Sequence, residues 1–285
     1  MSVVIDAQVV KDLREKTGAG MMECKKALIE ANGNAEESID ILRKKGAMTA
    51  AKKSSRVAAD GLIDTYLSSD AQLGVLLELN SETDFVAKTD QFKALLKQIL
   101  NDVVSKNYTT FVEVPTEPIT ALIAALGENI TLSRFVKYAV QNNLGVVDSY
   151  IHPGSKLGVI VELTTQTAAA ANNPVVKTLA HELAMQIAAA SPDFISRNEI
   201  PKEVLDKELE IYKEQAKQEG KPEKILDKIA QGKLNKFYGQ VCLLEQLYIR
   251  DQNLTVAKVI EQTSKEAGET ITVARFARYK IGESK

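Results

Sequence analysis

The sequence predicts an α+β protein with a core of two related subdomains, each a small antiparallel sheet covered by helices. Three observations predict this class. An internal repeat runs through the middle of the 285-residue chain, a helical segment rich in Lys and Glu interrupts the second copy, and a short helical segment precedes the first. We therefore expect a three-helix N-terminal module, a two-subdomain core, and an antiparallel coiled-coil hairpin inserted in the second subdomain.

The N-terminal unit, residues 1–55, has the pattern of three short helices and a linker. Its first helix is predicted to end at the T-G-A-G turn of residues 17–20, and its second at an N-G-N turn. The third is predicted to run from Ala35 to Lys45 and to stop at Gly46, because glycine readily adopts the left-handed conformation that ends many helices. Residues 44–56 then form a basic linker rich in small side chains.

The core is predicted from matched segments of the chain. Three pairs match: GLIDTYL at 61–67 with GVVDSYI at 145–151, LGVLLEL at 73–79 with LGVIVEL at 157–163, and ENITLSRFVKY at 128–138 with ETITVARFARY at 269–279. The first two pairs are offset by 84 positions (145 − 61), and the third by 141 (269 − 128). The second copy therefore contains 57 additional residues (141 − 84) before its last matched segment.

Each copy has the pattern of a strand, a short turn, a second strand, a helix and a third strand. The first copy gives a subdomain of residues 56–144, and the second gives one made of residues 145–198 and 240–280. Apolar residues recur at helical spacing over Asp90–Ser105 in the first copy and over Pro174–Ala190 in the second, so one long helix is predicted in each.

The insertion, residues 199–239, is predicted to be a helical hairpin. Apolar residues recur every three or four positions on both sides of a G-K-P break at residues 220–222. Two such helices joined by a short turn form an antiparallel coiled coil. Two interpretations stay open: a solvated structural arm, or an arm that contacts a partner or a second copy of the chain.

The composition excludes several classes of protein. Hydrophobic residues make up 45% and charged residues 26%, as in soluble globular proteins, and the net charge of −2 argues against a dedicated nucleic-acid binder. No apolar run reaches the roughly 18 residues of a membrane span, and the N-terminus lacks the pattern of a signal peptide. Two cysteines far apart, Cys24 and Cys242, fit a reducing compartment. We expect a cytoplasmic protein without direct membrane or nucleic-acid contacts.

Catalytic and metal-binding patterns are missing from the sequence. The two histidines, His152 in a predicted hairpin turn and His181 in a predicted helix, lie in no recognisable triad. We interpret His181 as a helix-face residue with one hydrogen bond. No cluster of Cys, His or acidic residues has metal-ligand spacing. Asp84 could act as a base but has no identifiable partner, so neither an enzyme nor a cofactor is expected.

The segment S-E-T-D-F-V-A-K, residues 81–88, differs between the copies. Thr83 corresponds to Thr167, so both copies keep a threonine at the end of the second strand. Asp84-Phe85-Val86 corresponds to three alanines and is therefore an addition to the first copy. Two interpretations stay open here. Either Asp84 and Phe85 form an exposed functional tip, or Thr83 caps a helix and Phe85 packs in the core of the first copy only.

Two motifs resemble a known family. LREKTGAGMMECKKAL at 13–28 and ETDFVA at 82–87 are similar to signatures of bacterial elongation factor Ts, and the order of parts matches over essentially the whole chain. The resemblance implies a guanine nucleotide exchange factor in translation elongation. Such a factor binds elongation factor Tu in its GDP-bound form, disturbs its Mg²⁺ site and promotes GDP release, so that GTP can rebind.

The resemblance also implies which residues contact the partner. Thr83, Asp84, Phe85 and Val86 push into the partner's GTPase domain near its Mg²⁺ site. The N-terminal module and the first subdomain grip that domain, and the second subdomain grips another. Further implied contacts are Arg14, Met21, Met22, Lys25, Leu126, Gly127 and His152. We expect one of the adjacent methionines to be exposed, and which one stays open; ordinary packing is an equal alternative for Leu126.

Some expectations stay alternatives. Longer members of the family continue with a C-terminal helix that contacts the GTPase domain, and the short tail of residues 281–285 is expected to leave the grip to the module and core. A second class of function is an RNA- or ribosome-associated α+β protein that uses the basic residues of 44–56. A third is a hydrolase built on Asp84. A homodimer through the core or the coiled-coil arm also stays open.

Overall fold

The computed structural model describes residues 5–283, so residues 1–4 of the predicted N-terminal unit and residues 284–285 of the predicted tail lie outside the described part. The N-terminal module consists of three helices: α1 (Ala7–Thr17), α2 (Met21–Glu30) and α3 (Ala35–Lys53). Their small apolar core consists of Val10, Leu13, Cys24 and Leu28. Gly18 ends α1 in the left-handed conformation, with φ of 68°.

The first repeat copy forms a three-stranded antiparallel sheet with helices against one face. Its elements are β1 (Asp60–Leu67), β2 (Leu73–Ser81), α4 (Asp84–Ala87), α5 (Asp90–Ser105), α6 (Glu117–Leu126) and β3 (Ile130–Ala139). The strand order is β1-β2-β3, with β2 in the centre. The buried face of α5, which covers the range predicted for it, packs on the sheet because its apolar residues recur at helical spacing.

The prediction that α3 stops at Gly46 is wrong, and so is the linker predicted from there on. The helix continues to Lys53 and includes most of the basic segment. Gly46 is buried where α3 crosses α6, and a Cβ atom at this position would lie 3.6 Å from the Cβ of Ala124. The glycine is therefore a point of close helix–helix approach. Packing against α6 compensates for its low helix propensity.

The second copy repeats the arrangement of the first. It begins with β4 (Gly145–Ile151), β5 (Leu157–Thr164), α7 (Ala168–Ala171) and α8 (Pro174–Ala190). The insertion follows as two helices, α9 (Lys202–Gln218) and α10 (Glu223–Val241). The chain then forms a short hairpin of β6 (Leu247–Tyr248) and β7 (Asp251–Thr255), followed by α11 (Val256–Ala267) and β8 (Thr272–Lys280). The sheet order is β4-β5-β8, again with the second strand in the centre.

The repeat extends to the details of strand pairing. The register between β2 and β3 shifts at Glu78/Leu79, and the register between β5 and β8 shifts at Glu162/Leu163. Both shifts fall at equivalent positions, which confirms that the two sheets are related. The predicted α+β class, with small antiparallel sheets and helices, is confirmed.

The two sheets pack against each other through the faces that their helices leave open. Ile63, Leu76, Val147, Ile160 and Tyr138 form the buried cluster between them. Two reciprocal backbone hydrogen bonds join the copies: the amide of Ile63 donates to Ser155 and that of Val147 donates to Ala71, each at 2.8 Å. This arrangement gives the core a pseudo-twofold symmetry and fixes how the two subdomains face each other.

Candidate functional site

The short helix α4 is positioned by the threonine that precedes it. Thr83 is extended, with φ of −129° and ψ of 159°, and its hydroxyl accepts a hydrogen bond from the amide of Val86. Thr167 caps α7 in the second copy in the same way, through the amide of Ala170 at 3.2 Å. The threonine is thus an N-cap that both copies need, as its presence in both copies predicts.

In each copy, a glutamate that lies shortly before the third strand binds this threonine. Glu128 accepts hydrogen bonds from the Thr83 amide at 3.0 Å and from the Thr83 hydroxyl at 2.6 Å. In the second copy, Glu269 accepts from the Thr167 hydroxyl. A further bond runs from the amide of Asn129 to the Glu82 carboxylate at 2.7 Å. Two bonds to a carboxylate hold α4 firmly against the end of α6, because charge-assisted bonds are the stronger ones.

The side chains of α4 point in different directions. Phe85 is 79% exposed, which contradicts the alternative that its ring packs in the core. Asp84 is partly exposed and accepts a hydrogen bond from the Lys88 ammonium one turn later, a bond that raises the pKa of Lys88. Val86 is buried, as is its counterpart Ala170. Val86 therefore belongs to the packing of α4, and Asp84 and Phe85 form the exposed part.

The implied contacts Leu126 and Gly127 lie beside this tip. They end α6 and directly precede Glu128, the residue that holds Thr83. Gly127 is exposed and left-handed, with φ of 79°, like its counterpart Gly268. Leu126 is half-buried and packs against the first core, so ordinary packing accounts for part of its side chain.

Comparison of the copies isolates what is particular to the first. Both keep the capping threonine, the glutamate that binds it and the left-handed glycine. Four larger side chains differ: Asp84, Phe85, Val86 and Leu126 stand where the second copy has Ala168, Ala169, Ala170 and Ala267, and Val86 is the buried one of the four. The same scaffold thus carries a charged and apolar surface in one copy and alanines in the other. We call Asp84, Phe85, Leu126 and Gly127 the tip.

A second group of implied contacts lies on the N-terminal module. Arg14 near the end of α1 and Met21, Met22 and Lys25 in the first turns of α2 are all exposed. Met21 and Met22 are 42% and 62% exposed, so both methionines face solvent and not one alone. In α2 the first residue of the module core is Cys24, so the core does not cover the two methionines before it.

The remaining implied contact, His152, lies on the second subdomain, directly after β4. The Nδ1 atom of His152 is 3.1 Å from the Tyr150 hydroxyl. His181 of α8 packs edge-on against the same tyrosine ring and lies 3.3 Å from the Asp148 carboxylate. Both histidines of the chain therefore flank Tyr150. His181 is a helix-face residue with one hydrogen bond, as interpreted from the sequence.

Several residues around the tip were missed in the sequence. The Lys53 ammonium donates to the Gly127 carbonyl, Arg56 pairs with Glu82, and Val57 is 80% exposed in the following loop. They were missed because α3 was expected to end at Gly46. The signal for Glu128 was present, since the aligned copies contain a threonine and a glutamate at both equivalent sites. Within the basic segment, Lys53 and Arg56 bond within the chain, whereas Lys44 and Lys52 are exposed.

The described residues give two further findings. Within residues 5–283, no group of three His, Cys, Asp or Glu side chains is arranged to hold a metal ion. In the same part of the chain, no helix combines the length and the apolar character needed to cross a membrane.

Comparisons with known proteins agree with this architecture. The family described as Elongation factor TS matches residues 82–283. An elongation factor Ts from Clostridium botulinum (strain Eklund 17B / Type B) is 49% identical, over 98% of this chain and 94% of the relative. Proteins of the same name from Clostridium perfringens (strain 13 / Type A) and Trichlorobacter lovleyi are 44% and 41% identical, over 98% and 99% of this chain and 94% of each relative.

These matches cover the module, both subdomains and the insertion. Together with the fold they define the chain as a translation elongation factor. It belongs to the elongation factor Ts family.

Proposed function

We propose that this protein is a non-enzymatic guanine nucleotide exchange factor for elongation factor Tu. It binds the GDP-bound partner, disturbs the Mg²⁺ site there and promotes GDP release, after which GTP can bind. The observation that carries the proposal is Phe85, an aromatic side chain that is 79% exposed on a well-braced helix in one repeat copy only. Large exposed aromatic side chains on rigid supports are typical of binding hot spots.

The energy available from Phe85 is sufficient to matter. Full burial of a phenylalanine side chain contributes roughly 2–3 kcal/mol. Because Glu128 and Thr83 already fix the position of α4, little conformational entropy is lost when the ring inserts into a partner. The ring would fill a pocket that opens only when the GTPase domain leaves its GDP-bound conformation.

Asp84 brings charge to the same point. GDP is held in such partners by phosphate contacts and by a bridging Mg²⁺. The Asp84 carboxylate and the Lys88 ammonium lie next to Phe85, and both are accessible. A carboxylate can bind groups that surround the metal site, and an ammonium can compensate charge as the metal leaves. We propose that this pair helps to dismantle the Mg²⁺ coordination.

Exchange follows from differential affinity. The factor must bind the nucleotide-free partner better than the GDP-bound partner, and each 1.4 kcal/mol of this difference lowers GDP affinity roughly tenfold. By linkage, GDP lowers the affinity of the factor by the same ratio. The exposed residues Met21 and Met22 would hold the GTPase domain, and the surface around His152 and Tyr150 would hold another domain of the partner.

The test is the rate at which a fluorescent GDP analogue leaves elongation factor Tu. We expect dissociation to accelerate with the concentration of this protein, and to do so less steeply when free Mg²⁺ is raised. Capture of elongation factor Tu on immobilised protein should weaken as GDP is added. Unchanged analogue dissociation over a range that saturates binding would contradict the proposal.

A further inference from the structure

We infer that α3 is a rigid connection between the N-terminal module and the tip, and that Lys53 and Arg56 are positioning residues for nucleotide exchange. The inference rests on the proposed function and deepens it. Helix α3 has 19 residues, which span about 28 Å at 1.5 Å per residue. This length is enough to join two separate contact surfaces on one partner.

The first half of α3 belongs to the N-terminal module. Asn34 caps the helix, and its side chain accepts hydrogen bonds from the amides of Glu36 and Glu37. Ile39 and Leu42 pack against the module's apolar core, which also includes Cys24 and Leu28 from the buried face of α2. The surface that bears Met21 and Met22 therefore moves together with α3.

The second half of α3 belongs to the first subdomain. Gly46 lies against Ala124 and Thr120 of α6, and Ala50 packs on the core of the first copy. The turn between α1 and α2 stands away from α6 across a cleft of about 660 Å³ that includes Thr17 on one side and Ala121 on the other. The module is therefore joined to the subdomain along α3, and a cleft separates the two units beside this helix.

The end of α3 is tied to both sides of the tip. The Lys53 ammonium donates to the carbonyl of Gly127, which lies within the tip. Arg56 Nη1 lies 3.5 Å from the Glu82 carboxylate, the residue before Thr83, and its backbone carbonyl accepts from the Asn129 side chain at 2.7 Å. These bonds thus connect the end of α3 and the residues just after it to the segment before α4 and to the segment after α6.

The repeat shows that the side chains bound by Arg56 are not required by the shared fold. The second copy has Gln166 where the first has Glu82, and Thr270 where the first has Asn129. The two side chains that bind Arg56 therefore occur in the copy that bears the tip and are replaced in the other, whereas Gly127, whose carbonyl binds Lys53, is retained as Gly268. Their coincidence with Asp84 and Phe85 indicates a role connected with the tip.

A rigid connection has a specific consequence for exchange. When two contacts on one partner are held at a fixed separation, binding at the module presents the tip in the right place, and strain at the tip is resisted by the module. If the end of α3 is no longer tied to the tip, the module still binds the partner. The tip then shifts when it meets the partner, and the nucleotide site is deformed less. The maximal exchange rate then falls more than the apparent affinity.

The test uses the full chain with Lys53→Met and Arg56→Met combined, which removes the two side-chain ties, keeps the apolar stems and leaves the bond between the Arg56 carbonyl and Asn129 in place. The matched control is Lys44→Met with Lys52→Met, which removes the same charge from exposed positions of the same helix. We expect the maximal dissociation rate of the GDP analogue to fall about fivefold or more while the half-saturating concentration changes less than about twofold. Lys53→Arg alone, which keeps the donor, should retain the rate. The control should behave as the unaltered protein.

A second measurement separates this inference from the proposed function. Spin labels on Lys26→Cys in the module and Lys97→Cys in α5 report the distance between them in the free protein. The distance distribution should be narrow in the parent and clearly broader in the double variant. The inference would be overturned by an equally narrow distribution in the double variant, or by a maximal rate in the double variant equal to that of an active parent. If the parent itself failed to accelerate GDP release, the proposed function would fall, and the label distances would still decide the rigidity of α3.

Discussion

The guanidinium carbon of Arg134 in β3 lies 4.1 Å from the ring centroid of Tyr279 in β8, and the contact joins the two repeat copies. The reciprocal contact places Arg275 at 4.2 Å from the ring of Tyr138. Each arginine also pairs with a buried glutamate of its own sheet, Arg134 with Glu78 at 2.8 Å and Arg275 with Glu162 at 2.6 Å. These two crossed contacts fix the orientation of the subdomains, and with it the separation of the tip from His152.

Replacing Arg134 with methionine should be strongly destabilising. Glu78 is 4% exposed and would be left as a buried charge without its partner, a loss that costs about 3–5 kcal/mol. Urea denaturation measures the change in unfolding free energy. Adding Glu78→Gln should recover most of it, since the buried charge is then removed. A loss below about 1 kcal/mol in the single variant would mean that water or another group compensates Glu78.

Adding a methyl group at Gly74 should separate the two sheets. A Cβ atom there would lie 2.6 Å from Val147 Cγ1, and the equivalent atom at Gly158 would lie 2.6 Å from Ile63 Cγ2. We expect Gly74→Ala and Gly158→Ala each to lower the unfolding free energy by about 1–3 kcal/mol. Gly232→Ala in α10 is the control, because nothing lies near its Cβ position and alanine favours a helix by up to about 1 kcal/mol. Equal effects at all three sites would contradict the proposed close approach.

The repeat supplies a matched pair of variants at the capping threonine. Thr83→Val and Thr167→Val each remove an N-cap and the hydroxyl that binds a glutamate, so each should cost about 1–2 kcal/mol of unfolding free energy. Only Thr83→Val should slow GDP release, because only α4 carries the tip. Comparable slowing by Thr167→Val would show that the effect arises from general destabilisation.

Cys242 predicts a loss of stability at alkaline pH. Burial raises the pKa of the Cys242 thiol from 9.0 to about 11 in the folded protein. The fold favours the neutral thiol, so its contribution is complete below pH 9 and is lost as the pH rises towards 11. Two pKa units correspond to at most about 3 kcal/mol. The unfolding free energy should fall less steeply over this range in Cys242→Ala than in the parent, and parallel curves would contradict the assignment.

The sequence was sufficient to predict the two sheets and their covering helices. Strand-forming residues, turn residues and helical periodicity coincide in both copies, and the repeat doubles each observation. It was not sufficient at Gly46, because a glycine that ends a helix and a glycine that allows two helices to approach look alike until the partner helix is known. The cost of glycine inside a helix is about 1 kcal/mol, which tertiary packing easily outweighs.

The sequence was also insufficient to predict the conformation of the tip. Comparison of the copies identified Asp84 and Phe85 as additions, but four residues of helix are too few for periodicity to tell an exposed ring from a buried one. The brace by Glu128 depends on a contact between segments 45 residues apart. That contact could have been predicted, since both aligned repeats contain a threonine and a glutamate at matching positions, which indicates that the two residues pair.

The central claim is that Asp84 and Phe85 act on the partner's nucleotide and contribute little to folding. It is tested most directly by the rate of GDP-analogue release from elongation factor Tu at saturating concentrations of the Asp84→Ala/Phe85→Ala variant, alongside its unfolding free energy. Phe111→Ala is the matched control, because Phe111 is also exposed but lies in the loop between α5 and α6. We predict that the double variant keeps its stability within about 1 kcal/mol and loses at least about tenfold in rate, with the control unchanged. A rate equal to that of the parent, or unfolding of the variant, would contradict the account.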